Sequence, residues 1–277
     1  MPLIQNSYGK GRVRVMRVHR VGERYEVREL TVQTMLEGNF AAAYTAAENR
    51  AVIATDTIKN ITYIVAGEAP AASAEVFAQR LGARFLERYP QVTSATVTTH
   101  ETSWLRASFG GKPHAHSFVL DGNGTPYAKV GSTRGAVAIT SGIVGYTFMK
   151  ATQSGWVGYV QDEYTTLPET EDRLTATAMD ATWTWRRPAD YPATNAVILQ
   201  TMLEVFATTY SHSVQDSLLR MGEAALSAVP ELDQITLACP NKHYLPVDLE
   251  RFGSRSGGVL VPTDEPHGQI ECVVGRG

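Results

Sequence analysis

Tyr89-Pro90-Gln91-Val92 ends one helical run and opens a strand, and Val229-Pro230-Glu231-Leu232 does the same about half a chain later. Upstream of the first stretch, Phe77, Leu81 and Phe85 recur at helical spacing until Pro90 stops the pattern. Downstream, residues 92–105 alternate Thr with small apolar residues, as Ile235-Thr236-Leu237 does after the second stretch. A chain that leaves helix for strand twice by one device reads as two copies of one unit.

Outward from the first exit, Lys10 to His19 and Tyr25 to Val32 are rich in β-branched residues and flank a turn at Val21-Gly22-Glu23, which predicts a hairpin. The alternation slips at Met16 and near Glu29, so a paired bulge or two buried faces is expected there. The apolar run Ala51 to Ala54 stops at Thr55-Asp56, residue types that cap helices, and Ile58, Ile61 and Val65 follow at helical spacing. After a break at Gly67 to Ala72 comes the helix that ends at Pro90. A strand over His116 to Leu120 then turns at Asp121-Gly122-Asn123-Gly124.

The second half repeats the order. Strands are expected at Ala136 to Lys150 and Leu174 to Arg187, helices at Ala193 to Thr208 and Ser213 to Val229, and strands from Gln234 and from Gln269. The uncharged run Gly135 to Met149 is too short and too rich in Gly, Ser and Thr to span a membrane, and reads as two strands. The fold class is therefore α+β, with tandem antiparallel ββααββ domains over residues 1–133 and 134–277. Each copy would expose open sheet edges, and closing them edge to edge into an oligomeric barrel is one solution.

Bulk properties narrow the function. A chain of 277 residues with 43% apolar and 19% charged residues is neither disordered nor fibrous. A formal charge of -3 without any Lys/Arg run gives no footprint for nucleic acid. Cys239 and Cys272, the two cysteines, fit no zinc or redox spacing, and Met1 to Asn6 is too polar for a secretory signal, so a reducing compartment is expected.

Several residues could carry chemistry. The Arg173 guanidinium is a flat fork of donors suited to a planar anion, although an ion pair with Glu171 or Asp172 would also account for it. Gln215 falls in the first turn of a helix capped by Ser213, with Asp216 at the capping-box position. Trp156 reads as a core aromatic, Lys10 as a surface lysine and His243 as a core histidine. His114 and His116 share a strand face but have no acid or cysteine at supporting spacing, which favours a structural pair over a metal site.

Seven stretches together resemble the urate oxidase (uricase) family: YGK at 8–10, ATDTIKN at 54–60, GKPHAHSF at 111–118, DEYTTLPETEDR at 162–173, DATWTW at 180–185, SVQ at 213–215 and PNKHY at 240–244. They stand in the family's order with compatible spacing. The resemblance implies the tunnelling fold, with tandem domains whose sheets close as a barrel in a homotetramer. It implies oxidation of urate by dioxygen and water to 5-hydroxyisourate and hydrogen peroxide, without metal or organic cofactor.

By the same resemblance, Arg173, Gln215 and the Val214 backbone hold the purine, Trp156 stacks on it, and Asp56 is among its contacts. Trp156 stands where the family more often has Phe. Lys10, Thr55 and His243 are implied to relay protons, with Lys10 bonded to Thr55, while Asn241 and Thr55 hold dioxygen or water. Lys10 and Thr55 would face the other residues across a subunit boundary. Because the chain ends Val274-Gly275-Arg276-Gly277 rather than with a peroxisomal address, a bacterial-type cytoplasmic enzyme is expected. The rivals are a pterin-acting enzyme of the same fold, such as a cyclohydrolase or aldolase, and a purine-binding protein without turnover.

Overall fold

The computed structural model describes residues 1–253 and 258–277, and they divide into two compact units, Met1–Gly142 and Ile143–Gly277. In the first, β1 (Tyr8–Val21) and β2 (Arg24–Gly38) form a hairpin whose turn uses Gly22 at φ +63°, a left-handed value that suits glycine. Helices α1 (Ala41–Thr45), α2 (Thr55–Glu68) and α3 (Ala74–Arg88) follow. β3 (Val92–Phe109) then pairs with β2, and β5 (Thr125–Thr133) with the first half of β3. β4 (Lys112–Asp121) pairs instead with the far half of β3.

Phe77, Leu81 and Phe85 are fully buried, so the apolar stripe of α3 is the face laid on β3 and β5, in one core with Val97 and Val130. Truncating Phe77 to Ala would open a cavity there, at a cost of about 3–5 kcal/mol.

β6 (Val137–Lys150) straddles the division. The second unit continues with β7 (Thr175–Trp185), α4 (Tyr191–Thr208), α5 (Val214–Ala228), β8 (Leu232–Pro246) and β9 (Leu260–Gly275). β8 pairs with both β7 and β9.

Three devices recur in the two units. Ser73 and Ser213 cap α3 and α5 through their hydroxyls, accepting from Val76 N and Asp216 N. Gly82 and Gly222 let each helix approach a strand: a Cβ would lie 2.9 Å from Ser132 Oγ in one case and 2.6 Å from Val274 Cγ2 in the other. Arg134 and Arg276 each donate to three carbonyls where the helix gives way to the strand: Leu86, Tyr89 and Pro90 for one, Leu226, Val229 and Leu232 for the other.

Several details differ from the sequence reading. No bulge sits at Met16, which pairs directly with Glu29 in an unbroken ladder from Val13 to Val21. The apparent slip is a charged residue on the inner face: Arg17 is buried, its Nη1 donates to Ala69 O at 3.1 Å, and its guanidinium lies over Phe77, while Met16 and Val18 point out. The real irregularity falls between Lys10 and Val13, with Arg12 at φ +55°.

Neither Thr55 nor Asp56 caps α2. The cap position is Ala54, without a side-chain bond, and Asp56 turns its carboxylate to Lys59 and Asn60. Where two strands were expected over residues 135–149 there is one, β6, because Gly145 at φ +69°, bonded through its N–H to Asp180, interrupts without terminating it. The strand expected over residues 116–120 lies within β4, but the ββααββ count missed β5 and the turn at Gly110 and Gly111, both at positive φ, that joins β3 to β4. β9 begins at Leu260 rather than at Gln269.

Candidate active site

Between β6 and β7 the chain makes a long excursion without a helix or a named strand, the kind of loop that function usually explains. Its ends are stitched together by backbone bonds. Trp156 and Thr170 exchange N–H···O bonds of 2.7 and 3.0 Å, and Arg173 N donates to Ser154 O at 2.8 Å. A third segment joins them, since Gly155 N donates to Ser211 O at 2.9 Å and Ser211 N to Gln153 O at 3.0 Å. Two residues beyond Ser211, Ser213 opens α5 and so fixes Val214 and Gln215. Three stretches distant in sequence thereby place Trp156, Arg173, Val214 and Gln215 in one neighbourhood.

Asn241 reaches the same neighbourhood from β8. It pairs with Thr177 of β7, and together with Val214, Thr175, Thr177 and Ser217 it lines a small cavity of about 20 Å³. Beyond Asn241 the register slips before His243, which pairs with Thr263 of β9. Both side chains are half-buried.

The electrostatics single out Arg173. Neither neighbouring acid bonds it: Asp172 accepts from Thr152 Oγ1 at 2.7 Å and Gln153 N at 3.2 Å, and its turn is engaged elsewhere. The ion-pair explanation therefore fails. Burial lowers the Arg173 pKa, against an opposing contribution from the nearby Tyr210 phenol, and Arg173 Nε is buried without a hydrogen-bond partner. A half-desolvated cation lacking a carboxylate is costly unless an anion binds it.

Its guanidinium carbon lies 6.0 Å from the Trp156 ring centroid, and Trp156 is itself stacked on Tyr159 at 5.4 Å with 11° between the planes. Tyr159 is anchored by donating its hydroxyl to Leu167 O. The result is a flat aromatic platform beside an unpaired fork of donors. Gln215 is exposed at the start of α5. The capping box around it is half made: Ser213 accepts from Asp216 N at 3.0 Å, but Asp216 turns to Arg220.

The first unit holds Lys10, Thr55 and Asp56. Tyr8, edge-on to Phe40 at 4.8 Å, accepts from Ile53 N at 2.8 Å and so ties the start of β1 to the entry of α2. Gly9 lets β1 lie close on β2 here, since a Cβ there would collide with Thr34 O. The Asp56 carboxyl is held below its ordinary pKa by the Lys59 hydrogen bond first and by the charge of Lys10 last. Lys10 is thus beside the first turn of α2. No hydrogen bond joins it to Thr55 among the described residues, and the Thr55 hydroxyl is exposed.

Sequence reasoning missed Tyr159 and Tyr210. Tyr159 carried a faint signal, three residues from Trp156 around Gly158 at φ +72°. Tyr210 carried none. His114 and His116 lie ring to ring at 4.5 Å, beside Phe109.

The family model "Uricase" matches residues 6–131 and 139–271. The uricase of Emericella nidulans is 38% identical over 287 residues, covering 97% of this chain and 95% of that protein.

The chain belongs to the uricase family.

Uricase from Arthrobacter globiformis is 37% identical over 274 residues, covering 98% of this chain and 89% of its own length. The crystal structure of that uricase superimposes with a TM-score of 0.93, covering 100% of this chain and 95% of the other. Urate oxidase of Bacillus sp. TB-90, at 21% identity and a TM-score of 0.86, shares the fold. The α+β architecture with antiparallel sheets is thus that of solved uricases. Among the described residues, no helix is long and apolar enough to cross a membrane.

Proposed function

We propose that this chain oxidises urate with dioxygen and water to 5-hydroxyisourate and hydrogen peroxide, in a cavity completed where two subunits of a homotetramer meet. Membership of the uricase family supplies the substrate and the reaction. The residue assignment rests on one observation: the half-buried Arg173 guanidinium beside the Trp156 face, bonded to no carboxylate among the described residues.

Urate is a flat anion whose ring edges alternate donors and acceptors. Arg173 would take the anionic edge as a fork, while the Gln215 amide and the Val214 N–H read the opposite edge. Trp156 would stack on the ring, and Asp56 would lie at its periphery. Asn241 and Thr55 would hold dioxygen or water above it.

Urate gives two electrons to dioxygen, a water oxygen becomes the 5-hydroxyl, and two protons end on peroxide. Lys10, Thr55 and His243 would carry those protons, an ammonium beside a hydroxyl making charge there less costly. The protein's share is positioning and proton management, and the reading assigns no step to a metal or organic cofactor.

Lys10, Thr55 and Asp56 belong to the first unit and the other residues to the second. The reading therefore takes the units as tunnelling-fold domains, whose free sheet edges close as a barrel between subunits and whose sites draw on two chains. The test is direct. Purified protein given urate in air, with chelator present, is expected to release one peroxide per urate consumed; urate binding without peroxide would overturn the assignment.

A further inference from the structure

Tyr210 lies in the short link between α4 and α5, and its side chain touches the two loop segments of the proposed urate-binding neighbourhood while its carbonyl reaches α5. Its hydroxyl donates to Glu171 O at 2.6 Å, two residues before Arg173. The same oxygen occupies the space where a Cβ on residue 155 would stand, so the residue preceding Trp156 has to be Gly155. The Tyr210 carbonyl accepts from Arg220 Nη1 at 3.3 Å, and Arg220 pairs with Asp216 at 3.0 Å in the opening turns of α5 that carry Val214 and Gln215. One residue therefore joins all three: its phenol meets the segments that carry the anion fork and the stacking ring, and its carbonyl meets the edge-reading helix through Arg220. It also lies close enough to Arg173 to act on its charge.

The backbone stitches at Ser154, Gly155 and Ser211 fix where the three segments enter and leave. Arg173 N on Ser154 O and the Asp172 carboxylate on Thr152 and Gln153 tie the Glu171-Asp172-Arg173 turn to the segment before Trp156, and the Tyr210 hydroxyl on Glu171 O adds its tie to the α4–α5 link. A guanidinium fork discriminates by angle as well as charge, so an unbraced turn would weaken urate binding without removing any group that touches the ring.

Resting on the proposed urate site, we propose that Tyr210 is a positioning residue that sets the Arg173 fork relative to Trp156 and Gln215, acting on substrate affinity and not on proton transfer. Tyr210→Phe keeps the ring and deletes the bond to Glu171. It is expected to raise KM for urate about three- to tenfold, with kcat, its pH profile and the thermal midpoint unchanged. Urate titrated anaerobically is expected to bind more weakly by the same factor.

Gly155→Ala, which forces the phenol away, is expected to reproduce the effect. In the Tyr210→Phe background, where the displaced oxygen is gone, Gly155→Ala is expected to add less than it does alone. Tyr164→Phe, at a side chain 83% exposed, serves as the neutral control. An unchanged KM in Tyr210→Phe, a loss confined to kcat, or strict additivity of the two changes would overturn the proposal. Failure of the unaltered protein to oxidise urate would instead strike the function proposed above.

Discussion

Arg173 presents its guanidinium to the face of Trp156 at 6.0 Å, while its sequence neighbour Asp172 turns away to Thr152 and Gln153. The cation is left for a ligand. Arg173→Ala is accordingly expected to raise KM for urate by roughly tenfold to a hundredfold, the worth of a charge-assisted fork, with a smaller change in kcat. Steady-state kinetics decide it, and an unchanged KM would show that the anion is held elsewhere.

Lys10 and Thr55 predict the opposite kinetic signature. Lys10→Ala or Thr55→Ala is expected to lower kcat about a hundredfold or more while anaerobic urate binding persists. Assayed at urate well below KM, where each is impaired alone, Lys10→Ala and Arg173→Ala are expected to rescue each other on co-expression. Random assembly would restore roughly a quarter of the sites if each site draws on two chains. No recovery in mixed oligomers would mean that each chain carries its own complete set.

Cys239 is buried and Cys272 half-buried, and both are free. Burial pushes the Cys239 thiol up to about 12, far above any working pH, so the thiolate that reacts with disulfide reagents is absent. The native protein at pH 8 is expected to leave Cys239 unlabelled until it unfolds. Labelling in the fold at the rate of an exposed thiol would contradict its placement.

Arg276 and Arg134 each gather three carbonyls at a helix exit. Replacing either with Ala strips charged donors from those groups and is expected to lower stability by about 1–3 kcal/mol. The readout is a lower denaturant midpoint with KM unaltered.

The helices and most strands were legible because burial imposes a period on the letters, as at Phe77, Leu81 and Phe85. Arg17 misled for the converse reason: a charged residue on the inner face, bonded to Ala69 O and covering Phe77, breaks the pattern while the strand keeps its phase. The Gly110-Gly111 turn into β4 escaped notice because it acts through backbone angles that short-range alternation does not register.

Arg173 and Trp156 could be picked out by family likeness. Their mutual placement could not, because bonds such as Gly155 to Ser211 join segments some fifty residues apart. Tyr210 left no trace in the letters, since its role lies in a hydroxyl meeting a main-chain oxygen across that gap.

Ala54 leads into α2 without offering the helix an oxygen, and this sets thermostability against turnover. Ala54→Asp is the first change a stability engineer would make, worth about 1 kcal/mol to the helix. It would also plant a competing negative charge beside Thr55, where the proposed function places an electron-rich ring and reduced oxygen species. A hardier but slower variant is the expected trade, and screens that select on melting temperature alone would favour it.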